Sequence, residues 1–156
     1  MATTGREESE AEEADRQFDE LLQELRIAQA GVQILFAFLL VLPFQSGFTR
    51  LAGEYRSLYA LSLLSALLAA CLLISPVALH RILFHQQMKP VVIGLSHRLA
   101  IGGLAFLAIA MSGAVSLALS VSAGQIPGAI AGVGALILFS ALWFVWPTVL
   151  RTRSSS

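Results

Sequence analysis

Four long runs of apolar residues dominate the chain, and short polar segments separate them. The runs cover about residues 27–44, 58–79, 99–121 and 128–146, and their interiors hold no acidic residue, lysine, arginine or histidine. A helix needs about 20 apolar residues to cross the hydrocarbon core of a bilayer, which is about 30 Å thick. Since lipid offers the backbone no hydrogen-bond partner, such runs form helices. The pattern predicts an all-α polytopic membrane protein with four transmembrane helices.

The first helix is predicted to begin before its apolar run and to extend into the cytoplasm. Phe18, Leu21, Leu22 and Leu25 recur at steps of three and four, the spacing of one helical face. Residues 1–17 are acidic and are predicted to form a disordered tail, and residues 151–156 form a basic tail. A four-helix transmembrane domain fills residues 18–150. Its helices are expected at about 18–44, 58–79, 91–121 and 127–149.

Prolines fall near the predicted helix boundaries, where a missing N–H group disturbs a helix least. Pro43, Pro76 and Pro147 lie near the ends of apolar runs, whereas Pro90 and Pro127 lie where helices are expected to begin.

Composition and charge support a membrane location. The chain is 56% apolar and 13% charged, against about 45–50% and about 25% in soluble domains. Nine of its ten acidic residues lie within residues 1–24, and the tenth is Glu54. These values exclude a soluble enzyme with a carboxylate-rich site and an extended disordered chain. A disulfide-linked module is excluded as well, because Cys71 is the only cysteine.

The distribution of lysine and arginine predicts the orientation. Cytoplasmic segments of membrane proteins are enriched in these residues. With both termini inside, only Arg50 and Arg56 lie outside, and eight basic residues lie inside: Arg6, Arg16, Arg26, Arg81, Lys89, Arg98, Arg151 and Arg153. We therefore expect a multi-pass protein of the cell membrane with cytoplasmic N- and C-termini.

A polar stripe on the first helix is the strongest candidate for function. Arg26, Gln29 and Gln33 follow one another at steps of three and four, which places them on one side of the helix. Two interpretations remain open. The stripe lines the inner mouth of a path for ions or solutes, or its amides form hydrogen bonds between helices.

Small residues mark the third and fourth helices. Ser112, Ser116 and Ser120 align at steps of four, and they either line a narrow wet passage or allow close helix packing. The fourth helix carries a double Gly-x-x-x-Gly spacing, which is typical of close contact between helices, within one subunit or between two. Its residues are Gly124, Gly128 and Gly132.

The predicted cytoplasmic loop collects histidines and basic residues. They are His80, Arg81, His85, His97 and Arg98. Two interpretations remain open for this loop, that its residues sense pH or that they bind anionic lipid headgroups. A metal site is not expected, because no histidine pair has helical ligand spacing and no carboxylate or cysteine lies nearby.

No motif for catalysis, cofactor binding or nucleic-acid binding is present. The chain has no phosphate-binding glycine loop and no His-Glu-x-x-His sequence, and its basic residues are spread along membrane edges. We expect no enzyme, no cofactor and no nucleic-acid partner.

Two segments resemble a known family. They are ELRIAQAGVQILFAFLL at Glu24–Leu40 and PVALHR at Pro76–Arg81. The sequence is similar to a family of small bacterial four-helix membrane proteins catalogued as a domain of unknown function, some members of which carry an automatic sodium:proton antiporter label. The resemblance implies four helices and draws attention to Arg26, Gln29, Gln33, His80 and Arg81.

Two functions follow as hypotheses. The first is a homo-oligomeric pore or transporter for ions or small solutes, with cations or protons as candidates. The second is a membrane scaffold or regulator that binds a cytoplasmic or membrane protein through its acidic first helix and basic loop. In either case the lipid bilayer is the surrounding solvent.

Overall fold

The computed structural model describes residues 4–83 and 89–153, and it is helical nearly throughout. Helix α1 (Thr4–Val41) leads into two short 3₁₀ turns, Leu42–Phe44 and Phe48–Arg50. Helices α2 (Gly53–Leu83), α3 (Lys89–Ala123) and α4 (Gln125–Ser140) follow. A π-helical turn, Ala141–Val145, joins α4 directly to α5 (Trp146–Arg153). The described residues contain no strand.

Four stretches are long and apolar enough to cross a membrane, which confirms the predicted number. They are Leu22–Phe44, Gly53–Leu79, Gly94–Ala123 and Gln125–Val149. Large apolar side chains on their outer surfaces are exposed, among them Ile27, Phe38, Ile130 and Ile137. An apolar surface of this extent is suited to hydrocarbon rather than to water. The fold is that of an all-α polytopic membrane protein.

The helices extend further than the sequence pattern indicated. Helix α1 begins at Thr4, within the segment 1–17 that was expected to be a disordered tail. Residues 4–17 contain no proline and are rich in Glu, Ala and Arg, which favour helix. Pro76 does not end α2 but lies inside it and is fully buried. Neighbouring helices in a membrane bundle satisfy the backbone groups that such a proline frees.

The core lies between α2 and α3, which share the most extensive interface. Helix α1 packs mainly on α2, and α4 packs on α3. The fully buried side chains include Val32 of α1, Leu73 and Ser62 of α2, and Ser96 of α3. Since α1 and α4 share no comparable interface in the described residues, the bundle is open on the side where they face each other.

Candidate functional site

The amide of Gln29 joins α1 to α2 beside a proline. Its Nε2 donates a hydrogen bond of 2.6 Å to the carbonyl oxygen of Leu73. Pro76, three residues further along α2, has no N–H group, and its ring crowds the carbonyls of the preceding turn. The half-buried side chain of Gln29 thus supplies a donor to a region of α2 where backbone donors are fewer. One such interhelical bond stabilises a membrane bundle by about 0.6–2 kcal/mol.

Gln33 and Arg26 do not share this environment. Both side chains are exposed, and neither forms a hydrogen bond or ion pair with another described residue. They lie seven residues apart, nearly two helical turns, and therefore on the same face of α1. The three residues of the predicted stripe are thus divided, with Gln29 turned towards α2 and the other two turned away from the bundle.

The serines of α3 face the glycines of α4 across a narrow seam. A Cβ atom added to Gly132 would lie 2.6 Å from Cβ of Ser116, and one added to Gly128 would lie 2.7 Å from the carbonyl oxygen of Ser116 and would overlap Oγ of Ser120. No side chain larger than hydrogen fits at these two glycines without movement. Gly124 lies outside this seam, because it occupies the turn before α4 with a φ of 103° and has open space around it.

A second seam, which the sequence analysis missed, joins α3 to α2. Gly113 of α3 lies directly against Oγ of Ser62, and that hydroxyl donates to the carbonyl of Leu58 at 2.9 Å. Gly103 also lies close to Leu73, with 2.7 Å between a Cβ added there and Cγ of Leu73. The signal for this seam in the sequence was the presence of small residues on both helices, Ser on α2 and Gly on α3.

Two buried hydroxyls of α3 have no hydrogen-bond partner among the described residues. They belong to Ser96, which is fully buried, and to Ser112, the first member of the predicted serine stripe. Ser112 lies beside the α3–α4 seam, because its carbonyl oxygen would be 3.3 Å from a Cβ added to Gly132. The serine stripe is therefore enclosed by helices and does not border an open passage in the described chain.

The predicted basic loop is only partly described. His97 and Arg98 are exposed near the start of α3. His80 and Arg81 belong to the last turn of α2, but their side chains lie outside the described part, and His85 lies wholly outside the described residues. Among the residues that the structure describes, no group of three His, Cys, Asp or Glu side chains is placed to hold a metal ion.

At the opposite end of the bundle, one polar contact joins α2 to α4, and a second lies between α2 and the turn that precedes it. Gln125 Nε2 donates to Glu54 Oε2 at 3.2 Å, and Arg56 donates to the carbonyl oxygen of Thr49 at 2.7 Å. The only acidic residue beyond the N-terminal segment thus connects the start of α2 to the start of α4. All four side chains are exposed, so this contact positions helix ends and forms no enclosed site.

The comparison with known families fits this membrane architecture. The model of a family of unknown function, DUF6328, matches residues 7–147. The chain belongs to this family. No curated protein and no solved structure matches it. The match confirms the family that the sequence resembles, and Arg26, Gln29 and Gln33 lie within the matched region.

Proposed function

We propose that the protein is a homo-oligomeric pore or transporter for ions or small solutes, in which copies meet along one face of α1. This Arg26–Gln33 face consists of Arg26, Ala30, Gln33 and Ala37, all exposed. Its spacing of four, three and four residues is that of a helix–helix contact. The amide of Gln33 is the observation that carries the proposal.

An unpaired amide in hydrocarbon is unfavourable. Gln33 lies within the first membrane-spanning stretch, Leu22–Phe44, and has no partner in the described chain. Moving an amide from water into an apolar medium without a hydrogen bond costs about 2–7 kcal/mol. A second copy offers the same amide at the same depth, and two amides satisfy each other because each both donates and accepts. Ala30 and Ala37 allow the backbones to approach closely.

A polar path would then lie between subunits. Inside one subunit, Gln29 is already bonded to Leu73, and the serine stripe of α3 is closed by glycines of α4. Two grooves on the described part of the bundle, of about 470 and 310 Å³, are lined mainly by apolar side chains. Arg26, one residue outside the apolar run, would stand at the end of the path that faces the termini. The distribution of basic residues supports a cytoplasmic location for that end, and for both termini, in the cell membrane.

Disulfide cross-linking tests the interface. In a Cys71→Ser background the chain has no other cysteine. Ala37→Cys on the Arg26–Gln33 face should form a dimer under mild oxidation in liposomes. The matched control, Phe38→Cys, is 72% exposed but points about 100° away, and it should remain monomeric. Equal cross-linking at both positions would contradict the proposed interface.

Ion flux tests transport separately. Proteoliposomes should conduct at least one of Na⁺, K⁺ and H⁺, and Gln33→Leu should reduce this flux. Gln45→Leu makes the same chemical change at an exposed position beyond the first span and should leave the flux unchanged. The absence of flux for all three ions in the unmodified protein would refute this ion-transport function.

The scaffold hypothesis has its own supporting observation. Helix α1 is continuous from Thr4 to Val41, so it extends by about 27 Å beyond the start of the first span at Leu22. This extension carries most of the acidic residues of the chain. Removal of residues 1–21 tests this alternative. If the truncation releases a co-purifying protein and ion flux is absent in every preparation, the results support the scaffold function and refute the pore.

A further inference from the structure

An apolar groove lies on α3, between α1 and the end of α4. Its volume is about 470 Å³, within the range of about 300–1,000 Å³ that is usual for sites that bind small molecules. Helix α1 from Glu24 to Leu35 forms one wall, Leu107 and Met111 of α3 form the floor, and Trp143 of the π-helical turn lies on the other wall. Along α1 the groove extends for about 16 Å.

A single charged group borders this groove. Among the described residues, Glu24 is the only ionisable one that lines the groove, and its exposed side chain forms no ion pair or hydrogen bond with any of the others. It lies two residues inside the first membrane-spanning stretch, which begins at Leu22, and therefore near the boundary between lipid and water. Arg26 does not neutralise it, because two helical residues place the two side chains about 200° apart.

We infer that this groove binds a monocationic amphiphile, with its ammonium group at the carboxylate of Glu24 and its apolar body along Leu107 and Met111. A carboxylate at the edge of low-dielectric material attracts a cation more strongly than one in bulk water does. The indole of Trp143 lines the same groove and adds apolar surface for the body of the ligand. A phospholipid is a poorer occupant, since its phosphate would lie beside the same carboxylate.

This inference does not depend on the proposed function. The groove lies on the side of α1 that carries Glu24, Ala28 and Gly31, whereas Gln33 and the rest of the Arg26–Gln33 face lie on the opposite side of the helix. The groove therefore remains open whether or not copies of the chain associate, and the two proposals can fail independently.

Tryptophan fluorescence provides the binding assay. The chain has two tryptophans, so a Trp146→Phe background leaves Trp143 as the sole reporter. The full-length protein in nanodiscs of zwitterionic lipid is titrated with dodecyltrimethylammonium, and empty nanodiscs correct for partition into lipid. Dodecyl sulfate, with the same chain and the opposite charge, is the matched ligand. We expect a saturable change in Trp143 emission with the cation and none with the anion.

Two variants test the two halves of the site. Glu24→Gln should weaken binding of the cation about tenfold, whereas Glu20→Gln, an exposed acid one turn earlier and outside the groove, should leave it unchanged. Gly31 lines the groove, and a Cβ atom added there meets nothing within 4 Å, so Gly31→Phe should fill the groove and abolish binding. Gly134→Phe makes the same change at an exposed glycine of α4 that has open space and lies outside the groove, and it should have no effect.

Several results would overturn the inference. Equal affinity of the unmodified protein and Glu24→Gln for the cation would remove the role of the carboxylate. Equal saturable binding of dodecyl sulfate would show a groove that accepts any alkyl chain. Unchanged binding in Gly31→Phe would place the ligand elsewhere, and circular dichroism of each variant verifies that the helices are intact.

Discussion

Substitution of Gly132 by alanine should destabilise the bundle, because the α3–α4 seam has no room for a methyl group. The new Cβ would lie 2.6 Å from Cβ and 2.9 Å from Oγ of Ser116, and 3.3 Å from the carbonyl oxygen of Ser112. Carbon atoms at optimal contact are about 3.5–4.0 Å apart. Overpacking of this kind typically destabilises a protein by about 1–3 kcal/mol.

Gly134→Ala is the matched control for this change. Gly134 lies two residues further along α4, and a Cβ added there meets nothing within 4 Å. Both substitutions raise helix propensity by about 1 kcal/mol, so this contribution cancels when the variants are compared. The free energy of unfolding should therefore be lower in Gly132→Ala than in Gly134→Ala by about 1–3 kcal/mol. Reversible unfolding in mixed micelles, followed by circular dichroism, measures the difference.

A second substitution should relieve the clash. Ser116→Gly removes the two nearest atoms that the methyl group of Gly132→Ala would meet, and the next nearest, the Ser112 carbonyl oxygen, is 3.3 Å away. The double variant should be more stable than the sum of the two single effects by about 1–2 kcal/mol. If Gly132→Ala is as stable as Gly134→Ala, or if the cycle shows no coupling, the close approach of α3 and α4 is incorrect.

Three further substitutions test other contacts, each by the same unfolding measurement. Gln29→Leu should lower the free energy of unfolding by about 0.6–2 kcal/mol, since the carbonyl of Leu73 loses its interhelical donor; no change would refute a structural role for this amide. Gly124→Ala should lower it by about 1–3 kcal/mol, because a φ of 103° is strained for any residue with a Cβ; an unchanged stability would contradict this backbone conformation. Gln125→Leu should change it by less than about 0.5 kcal/mol, because the bond to Glu54 is exposed, and a larger loss would show that this contact holds α2 and α4 together.

The number of helices was predictable because hydrocarbon imposes a simple rule on the backbone. Every run long enough to cross the membrane had to satisfy its own N–H and C=O groups, and four runs gave four spans. The helix ends were harder to place. The start of α1 at Thr4 depends on the helix propensity of an acidic segment, which charge counting assigned to a tail.

The division of the polar stripe was not predictable from one helix alone. Spacing shows that Gln29 and Gln33 are separated by about 40° around α1, but it does not show where α2 packs. That packing gives Gln29 a partner at Leu73 and leaves Gln33 without one in the described chain. Pro76 shows the same limit, since its place near the end of an apolar run does not show that α2 continues through it.

The π-helical turn at Ala141–Val145 has a consequence for the register of the last span. A π turn is equivalent to one surplus residue in an α-helix, and each residue advances the helix by about 100°. The backbone of α5, and with it the basic C-terminal segment, is therefore rotated by more than a quarter turn relative to an uninterrupted continuation of α4. The seam-forming glycines of α4 and the C-terminal segment therefore do not lie on one continuous helical face. Each can pack against a different neighbour.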